Sequence, residues 1–104
     1  MTTVSFDLEG ERIVGFRVRG HSGYAEAGED IVCAAVSSAA YMTANTVTEI
    51  VGAPAAIEVD DGYMHVVATD AVDACQVILQ GFLLHMQQMQ TQYPSRVHLT
   101  ITEV

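Results

Sequence analysis

The chain has 104 residues, half of them apolar, and its 13 acidic residues against four arginines and no lysine give a formal net charge of −9. This length and apolar content suffice for a single domain, residues 1–104, whose core needs neither disulfides nor metal. A surface of this charge repels phosphate backbones, which excludes direct nucleic-acid binding through the protein's own field and favours basic partners, although the charge also serves solubility alone.

The first part of the chain predicts a β-hairpin. The segment "TVSFDLE" alternates apolar and polar residues, and "RIVGFRVRG" does the same after a tight connection at Gly10. A second hairpin is predicted where "AAIEVD" and "YMHVVATD" flank Asp61 and Gly62, a pair typical of a type I′ turn with positive φ at both residues. The final segment, "RVHLTITEV", alternates cleanly and predicts the last strand.

A first helix is predicted over the uncharged run from Ile31 to Thr48, with Asp30 as its N-cap. This length approaches that of a membrane span, but the run holds too many Ser, Thr and Asn side chains for lipid, so we expect no membrane insertion. A helix without a charged face is instead covered on more than one side. We therefore expect a homodimer whose subunits meet along this helix.

A second helix is predicted from about Ala71 to Gln92, where apolar residues recur every three or four positions opposite a glutamine-rich face. Cys75 lies in the apolar stripe and is interpreted as a buried small side chain. Gly81 marks either a close packing contact or a tolerated glycine. The order β-β-α-β-β-α-β predicts an α+β fold: a two-layer sandwich of a mostly antiparallel sheet with both helices on one face.

The stretch "GHSGYAEAGEDIVCAAVSS", residues 20–38, combines a histidine, three glycines and a cysteine near a helix start. With Asp30 as N-cap, Cys33 is residue N3, where free N–H groups and the helix dipole lower the pKa of a thiol. The glycines allow the loop after His21 to fold back over this helix end. A thiolate beside an imidazole is the minimum equipment for nucleophilic acyl transfer, and the Cys33 amide can donate to an oxyanion.

Other interpretations of this stretch are weaker or remain open. A cysteine near a helix start is often buried filler, and a loop histidine is often solvated, so spacing alone does not decide. A phosphate-binding loop is excluded because Glu26, Glu29 and Asp30 repel phosphate and no lysine or arginine is present. The cysteines and histidines lack metal-ligand spacing. We therefore expect no metal and no cofactor. No signal-peptide pattern precedes Val4, which with unpaired cysteines indicates a reducing, cytoplasmic location.

The same stretch closely resembles the signature of the ribosomal-processing cysteine protease Prp family. The resemblance rests on Gly20-His21, Tyr24-Ala25, Gly28 and the run from Asp30 to Ser37, and more weakly on "NTVTEI" and the turn Asp60-Asp61-Gly62. It implies a cytoplasmic, dimeric endopeptidase without metal. The implied substrate is the N-terminal extension of a large-subunit ribosomal protein (L-twenty-seven), cut after a pair of phenylalanines.

The resemblance also implies individual roles. Cys33 is the nucleophile, His21 its general base, and Asp30 and Ser37 are supporting polar residues, with Asp30 orienting His21, capping the helix, or both. The loop is expected to be mobile and to close over the substrate, bringing His21 to Cys33. Its residues include Gly20, Ser22, Gly23, Tyr24 and Gly28. Two alternatives are a non-catalytic ribosome-associated or assembly module of the same fold, and a thiol-redox or acyl-carrier activity, for which Cys75 is a poor resolving cysteine.

Overall fold

A computed structural model describes residues 1–20 and 27–104, with the side chains of residues 27–30 left out. The elements follow the predicted order β-β-α-β-β-α-β. They are β1 (Thr2–Glu9), β2 (Arg12–Arg19), α1 (Ala27–Asn45), β3 (Ala55–Asp60), β4 (Tyr63–Ala68), α2 (Gln76–Gln92) and β5 (Val97–Glu103). A π-helical segment, Thr46–Val51, extends α1, and a 3₁₀ turn, Asp73–Cys75, precedes α2.

The strands form one sheet in the order β3-β4-β2-β1-β5. Three of its pairings are antiparallel, and β5 lies parallel to β1 because α2 carries the chain across the sheet before β5 begins. Apolar residues from one face of the strands share a core with both helices. The predicted two-layer α+β sandwich is therefore confirmed.

The core is centred on three phenylalanines. The ring of Phe82 in α2 lies 5.4 Å from that of Phe6 in β1 and 4.9 Å from that of Phe16 in β2, measured between centroids. Such tilted and edge-on ring pairs stabilise the core in addition to the burial of apolar area. Cys75 is fully buried at the start of this helical region, as the periodicity predicts.

The glutamine-rich face of α2 differs in part from the prediction. Gln76 accepts a hydrogen bond from the N–H of Ile13 at 2.9 Å and donates to the carbonyl of the same residue at 2.8 Å. Gln90 accepts from the N–H of Leu99 at 2.6 Å. These two amides lie at the boundary of the core, where their length lets them pair with backbone groups of the sheet, whereas Gln80 and Gln87 are exposed.

Two predicted local conformations are wrong. In the β3–β4 turn Gly62 has a φ of 69°, but Asp61 is not among the residues with positive φ, so the turn is not type I′. The side chain of Asp60 accepts the N–H of Asp61 at 2.8 Å, which stabilises the turn locally. The second helical region also starts late, because Ala71 itself is left-handed at φ 53°.

The helical segment Ile31–Val51 has the length and mean hydropathy, 1.2, of a membrane-crossing helix. In this fold the same segment packs on the sheet, with Val36, Ala40 and Thr43 completely buried. The hydroxyl of Thr43 donates to the carbonyl of Ala39 at 2.8 Å, so this buried polar group is satisfied within the helix. The side of this helix that faces the sheet is apolar because it forms part of the core.

Gly15 in β2 offers a test of the packing between β2 and β4. A Cβ at this position would lie 2.5 Å from the backbone oxygen of Val66 and 3.1 Å from the Cα of Val67. We expect Gly15→Ala to lower the free energy of unfolding by about 1–3 kcal/mol in urea titrations, because backbone must move to make room. A Cβ on Gly81 in α2 would have no neighbouring atom within 4 Å, so Gly81→Ala should instead stabilise by about 0.5–1 kcal/mol. Equal stabilities would contradict this packing.

Candidate active site

A cavity of about 140 Å³ lies between α1 and the end of the sheet at which β2 and β3 finish. It is bounded by one face of the helix, by the ends of the four strands β1 to β4, and by the β3–β4 turn. The lining residues are Thr2, Val18, Gly20, Cys33, Ser37, Ala40, Tyr41, Asp60, Gly62, Tyr63 and Met64.

The helix wall of the cavity is a stripe of residues spaced four apart. Cys33, Ser37 and Tyr41 follow one another at successive turns of α1 and therefore share a face. Val32 and Val36, their neighbours in sequence, are buried against the sheet and fix the rotation of the helix. Cys33 is thereby held half-buried with its side chain at the cavity, and Ser37 lies one turn further along.

The start of α1 differs from the prediction. The helix begins at Ala27, so the backbone of Asp30 is helical and Asp30 is not the N-cap. Cys33 accordingly lies in the second turn and not at N3, beyond the first four N–H groups that a helix leaves unpaired. The expected oxyanion donor at the Cys33 amide is therefore wrong. Gly28 also belongs to the helix, where its backbone conformation is open to any residue, and not to the loop.

The two cysteines have opposite environments. Cys75 is completely buried, and this burial raises the pKa of its thiol because the thiolate loses its hydration. Cys33 is half-buried at a cavity. Since the thiolate is the reactive form of cysteine and must reach its target, only Cys33 is placed for chemistry on an external molecule.

Several predicted site residues lie outside the described residues: His21, Ser22, Gly23 and Tyr24, together with the side chain of Asp30. The contact of His21 with Cys33 and the closure of the loop stay predictions. Gly20, directly before His21, lines the cavity, and its N–H donates to the carbonyl of Gly62 at 3.0 Å. A Cβ on Gly20 would lie 2.9 Å from Oγ1 of Thr2, so close packing requires glycine here.

Sequence reasoning missed most of the sheet side of the cavity. Tyr63 and Met64 of β4 line it, and the guanidinium of Arg19 lies 5.4 Å from the centroid of the Tyr63 ring, a cation–π contact that helps to hold the ring. Tyr41 was also missed, although its spacing of four residues from Ser37 was a usable signal. The strand residues carried no signal, because their proximity depends on the order of the strands.

Known proteins share the sequence and the fold of this chain. The family model described as "Cysteine protease Prp" matches residues 1–98. The ribosomal processing cysteine protease Prp of Staphylococcus aureus (strain Mu50) is 29% identical over 103 residues, covering 95% of this chain and 97% of that protein.

Two crystal structures of the protease from S. aureus share the fold. The complex with a substrate peptide has a TM-score of 0.89 and 27% identity, covering 98% of this chain and 100% of the other. The complex with a covalently linked product peptide has a TM-score of 0.85 and 28% identity over the same shares. The family model and these relatives show that the protein is a cysteine protease. The accessible thiol of Cys33 in a cavity is consistent with this class. Within that class the chain belongs to the Prp family.

Proposed function

We propose that this protein is an endopeptidase that removes the N-terminal extension of a large-subunit ribosomal protein (L-twenty-seven), cutting after aromatic residues by acyl transfer to Cys33. The observation that carries the proposal is the position of Cys33 at a cavity whose wall includes Gly20. Gly20 directly precedes His21 in the sequence. The other cysteine is buried with a raised thiol pKa.

In the proposed mechanism His21 takes the thiol proton of Cys33, and the thiolate attacks the scissile carbonyl carbon. The C–N bond then breaks as His21 returns the proton to the leaving amine, which leaves a thioester on Cys33. Water, deprotonated by His21, attacks the thioester; the C–S bond breaks and the thiol is restored. We assign Ser37 a supporting role, with its hydroxyl beside the reacting carbonyl, because Ser37 lies one turn from Cys33 at the same cavity.

Asp30 is assigned to orienting His21. Capping was the other role open to it, and the start of α1 at Ala27 removes that role. A carboxylate that accepts from one ring nitrogen of a histidine fixes the tautomer and leaves the other nitrogen free as a base. The three groups have the same roles in other sites that combine a nucleophile, a general base and a carboxylate that orients the base.

The proposed substrate is basic, and the cavity has an acidic rim. Asp60 lines the cavity and Asp61 follows it in the exposed turn, on a chain with net charge −9. Such a rim attracts lysine- and arginine-rich chains and raises their rate of encounter. The S. aureus relative is a ribosomal processing protease, which supports the proposed ribosomal substrate. The proposed location is the cytoplasm, where ribosomal proteins are made.

The test is incubation of the protein with a synthetic peptide of the N-terminal sequence of the ribosomal protein, followed by mass spectrometry of the products. We expect one cut, directly after the aromatic pair. A control peptide with both aromatic residues replaced by alanine should remain intact. Intact wild-type peptide after prolonged incubation, or cuts at unrelated positions, would contradict the proposed substrate.

We also propose that the protein acts as a homodimer joined along the outer stripe of α1, defined as Ile31, Ala35, Ser38 and Met42. These residues share a face of the helix and are exposed, Ile31 by 70% and Met42 by 59%. The small residues between them permit close approach of a second helix. The buried Thr43 does not belong to this stripe.

A charge in the outer stripe should separate the subunits. We expect Met42→Glu to shift the protein from dimer to monomer in light scattering at micromolar concentration, because a carboxylate in an apolar interface loses its hydration. Leu84 on α2, which is 56% exposed, provides the matched control, and Leu84→Glu should remain dimeric. A monomeric wild type, or a dimeric Met42→Glu variant, would contradict this seam.

A further inference from the structure

We propose that one flank of the substrate peptide binds as an additional strand along the free edge of β3, with its apolar side chains on Ile57 and Val59. The inference rests on the proposed function, because it locates the substrate of the same site. It names a binding surface outside the cavity that holds Cys33. Addition of an extended peptide to a sheet edge takes affinity from backbone hydrogen bonds and specificity from alternate side chains.

β3 is an edge strand. It pairs with β4 on one side, and among the described residues no strand lies on its other side. Only Ala55 of its six residues is half-buried, and the other five are exposed. Such an edge presents unpaired N–H and C=O groups that accept another strand.

The helix-side surface of β3 is apolar and uncovered. Val59 lies opposite Met64 and Ile57 lies opposite Val66 in the β3–β4 pairing. The two β4 residues are 5% and 1% exposed, whereas Val59 and Ile57 are 49% and 47% exposed. The apolar row of the core therefore continues onto β3 without a partner above it.

This surface is continuous with the cavity. Met64 lines the cavity, and Val59 is its cross-strand neighbour. Asp60, the last residue of β3, lines it as well, and the half-exposed Tyr41 bounds it on the helix side. An extended peptide rises about 3.3 Å per residue, so a peptide with its scissile bond at Cys33 can place roughly six residues along a strand of this length.

Charge indicates what occupies the edge. The residues of β3 that alternate with Ile57 and Val59 are Glu58 and Asp60, and Asp61 follows in the turn. A second copy of this chain would bring the same acids to the edge and be repelled. A peptide in which apolar residues alternate with lysine or arginine matches both surfaces of the strand. The occupant is therefore a basic substrate segment and not another subunit.

The first test is a pair of matched variants on the two edges of the sheet. Val59→Glu should raise the KM for the ribosomal peptide about tenfold or more and leave kcat nearly unchanged. This result is expected when the lost contact binds the substrate and the transition state equally well. Ile101→Glu is the control, because Ile101 is also 49% exposed, on the helix side of the opposite edge strand, β5. It should leave both constants unchanged. Thermal melting should show that both variants are folded.

The second test does not depend on turnover. In the Cys33→Ala protein saturated with the peptide, backbone amides of residues 55–60 should exchange with deuterium about tenfold or more slowly, while those of β5 should not change. Unchanged exchange in β3, or a wild-type KM for Val59→Glu, would overturn the inference. The proposed function would still stand in that case if the wild type cleaves the peptide. A wild type that cuts no such peptide would overturn both.

Discussion

Replacing Cys33 with alanine should abolish peptide cleavage and leave the fold intact. Alanine is a good helix former, and the side chain it replaces is half-buried at a cavity and not part of the core, so the free energy of unfolding should change by about 0.5 kcal/mol or less. Cys33→Ser should be nearly as inactive, because a hydroxyl is poorly activated by a base suited to a thiol. Cleavage assays with circular dichroism on the same samples check both expectations.

The matched control for this replacement is the second cysteine. Cys75→Ala removes a completely buried sulfur and should cost about 1–2 kcal/mol of stability through the space it leaves. Its cleavage rate below the melting temperature should equal that of the wild type. Loss of activity in Cys75→Ala with retained activity in Cys33→Ala would mean that the nucleophile has been misplaced.

Replacing His21 with alanine should lower kcat by about 10²–10⁴-fold, the usual contribution of a positioned base. Binding of the peptide should largely survive, because the imidazole acts on the thiol proton and not on the flanks of the substrate. Single-turnover kinetics separate the two effects, and fluorescence titration with a labelled peptide measures binding.

His85 offers the control for His21, since it is exposed on α2 and lines no part of the cavity. His85→Ala should cleave at the wild-type rate. A His21→Ala protein with wild-type turnover would remove the Cys33–His21 pair from the mechanism, whereas a folded variant that binds peptide and cuts slowly is the expected outcome.

The sequence was sufficient for the order of the elements but not for the exposed edge of β3. Alternation of period two located the strands, and a period near 3.6 located the buried stripe of α2, because both patterns follow directly from backbone geometry. The same alternation gives no information about strand order. Ile57 and Val59 alternate as core residues do, yet they are exposed because β3 is an edge.

The start of α1 and the hydrogen-bond partners of two glutamines on α2 also could not be predicted from the sequence. Asp30 is a favourable N-cap residue, but α1 starts three residues before it, at Ala27. Gln76 and Gln90 fit an exposed helix face by spacing, and only the approach of the sheet gives their amides backbone partners. The dense motif around Cys33 indicated chemistry, whereas Tyr63 and Met64 join the cavity only through the pairing of β2 with β4.

The most direct test of the central claim is the identification of the acylated residue during turnover. Wild-type protein is mixed with excess ribosomal peptide, quenched in acid within the first turnover and digested for mass spectrometry. Trypsin is unsuitable, because the arginines at 19 and 96 leave both cysteines in one fragment, whereas cleavage at acidic residues such as Glu49 and Asp60 separates them. We predict that the mass of the N-terminal fragment of the substrate, joined as a thioester, appears on the fragment that contains Cys33. The same mass on the fragment that contains Cys75, or cleavage that proceeds in Cys33→Ala, would contradict the account.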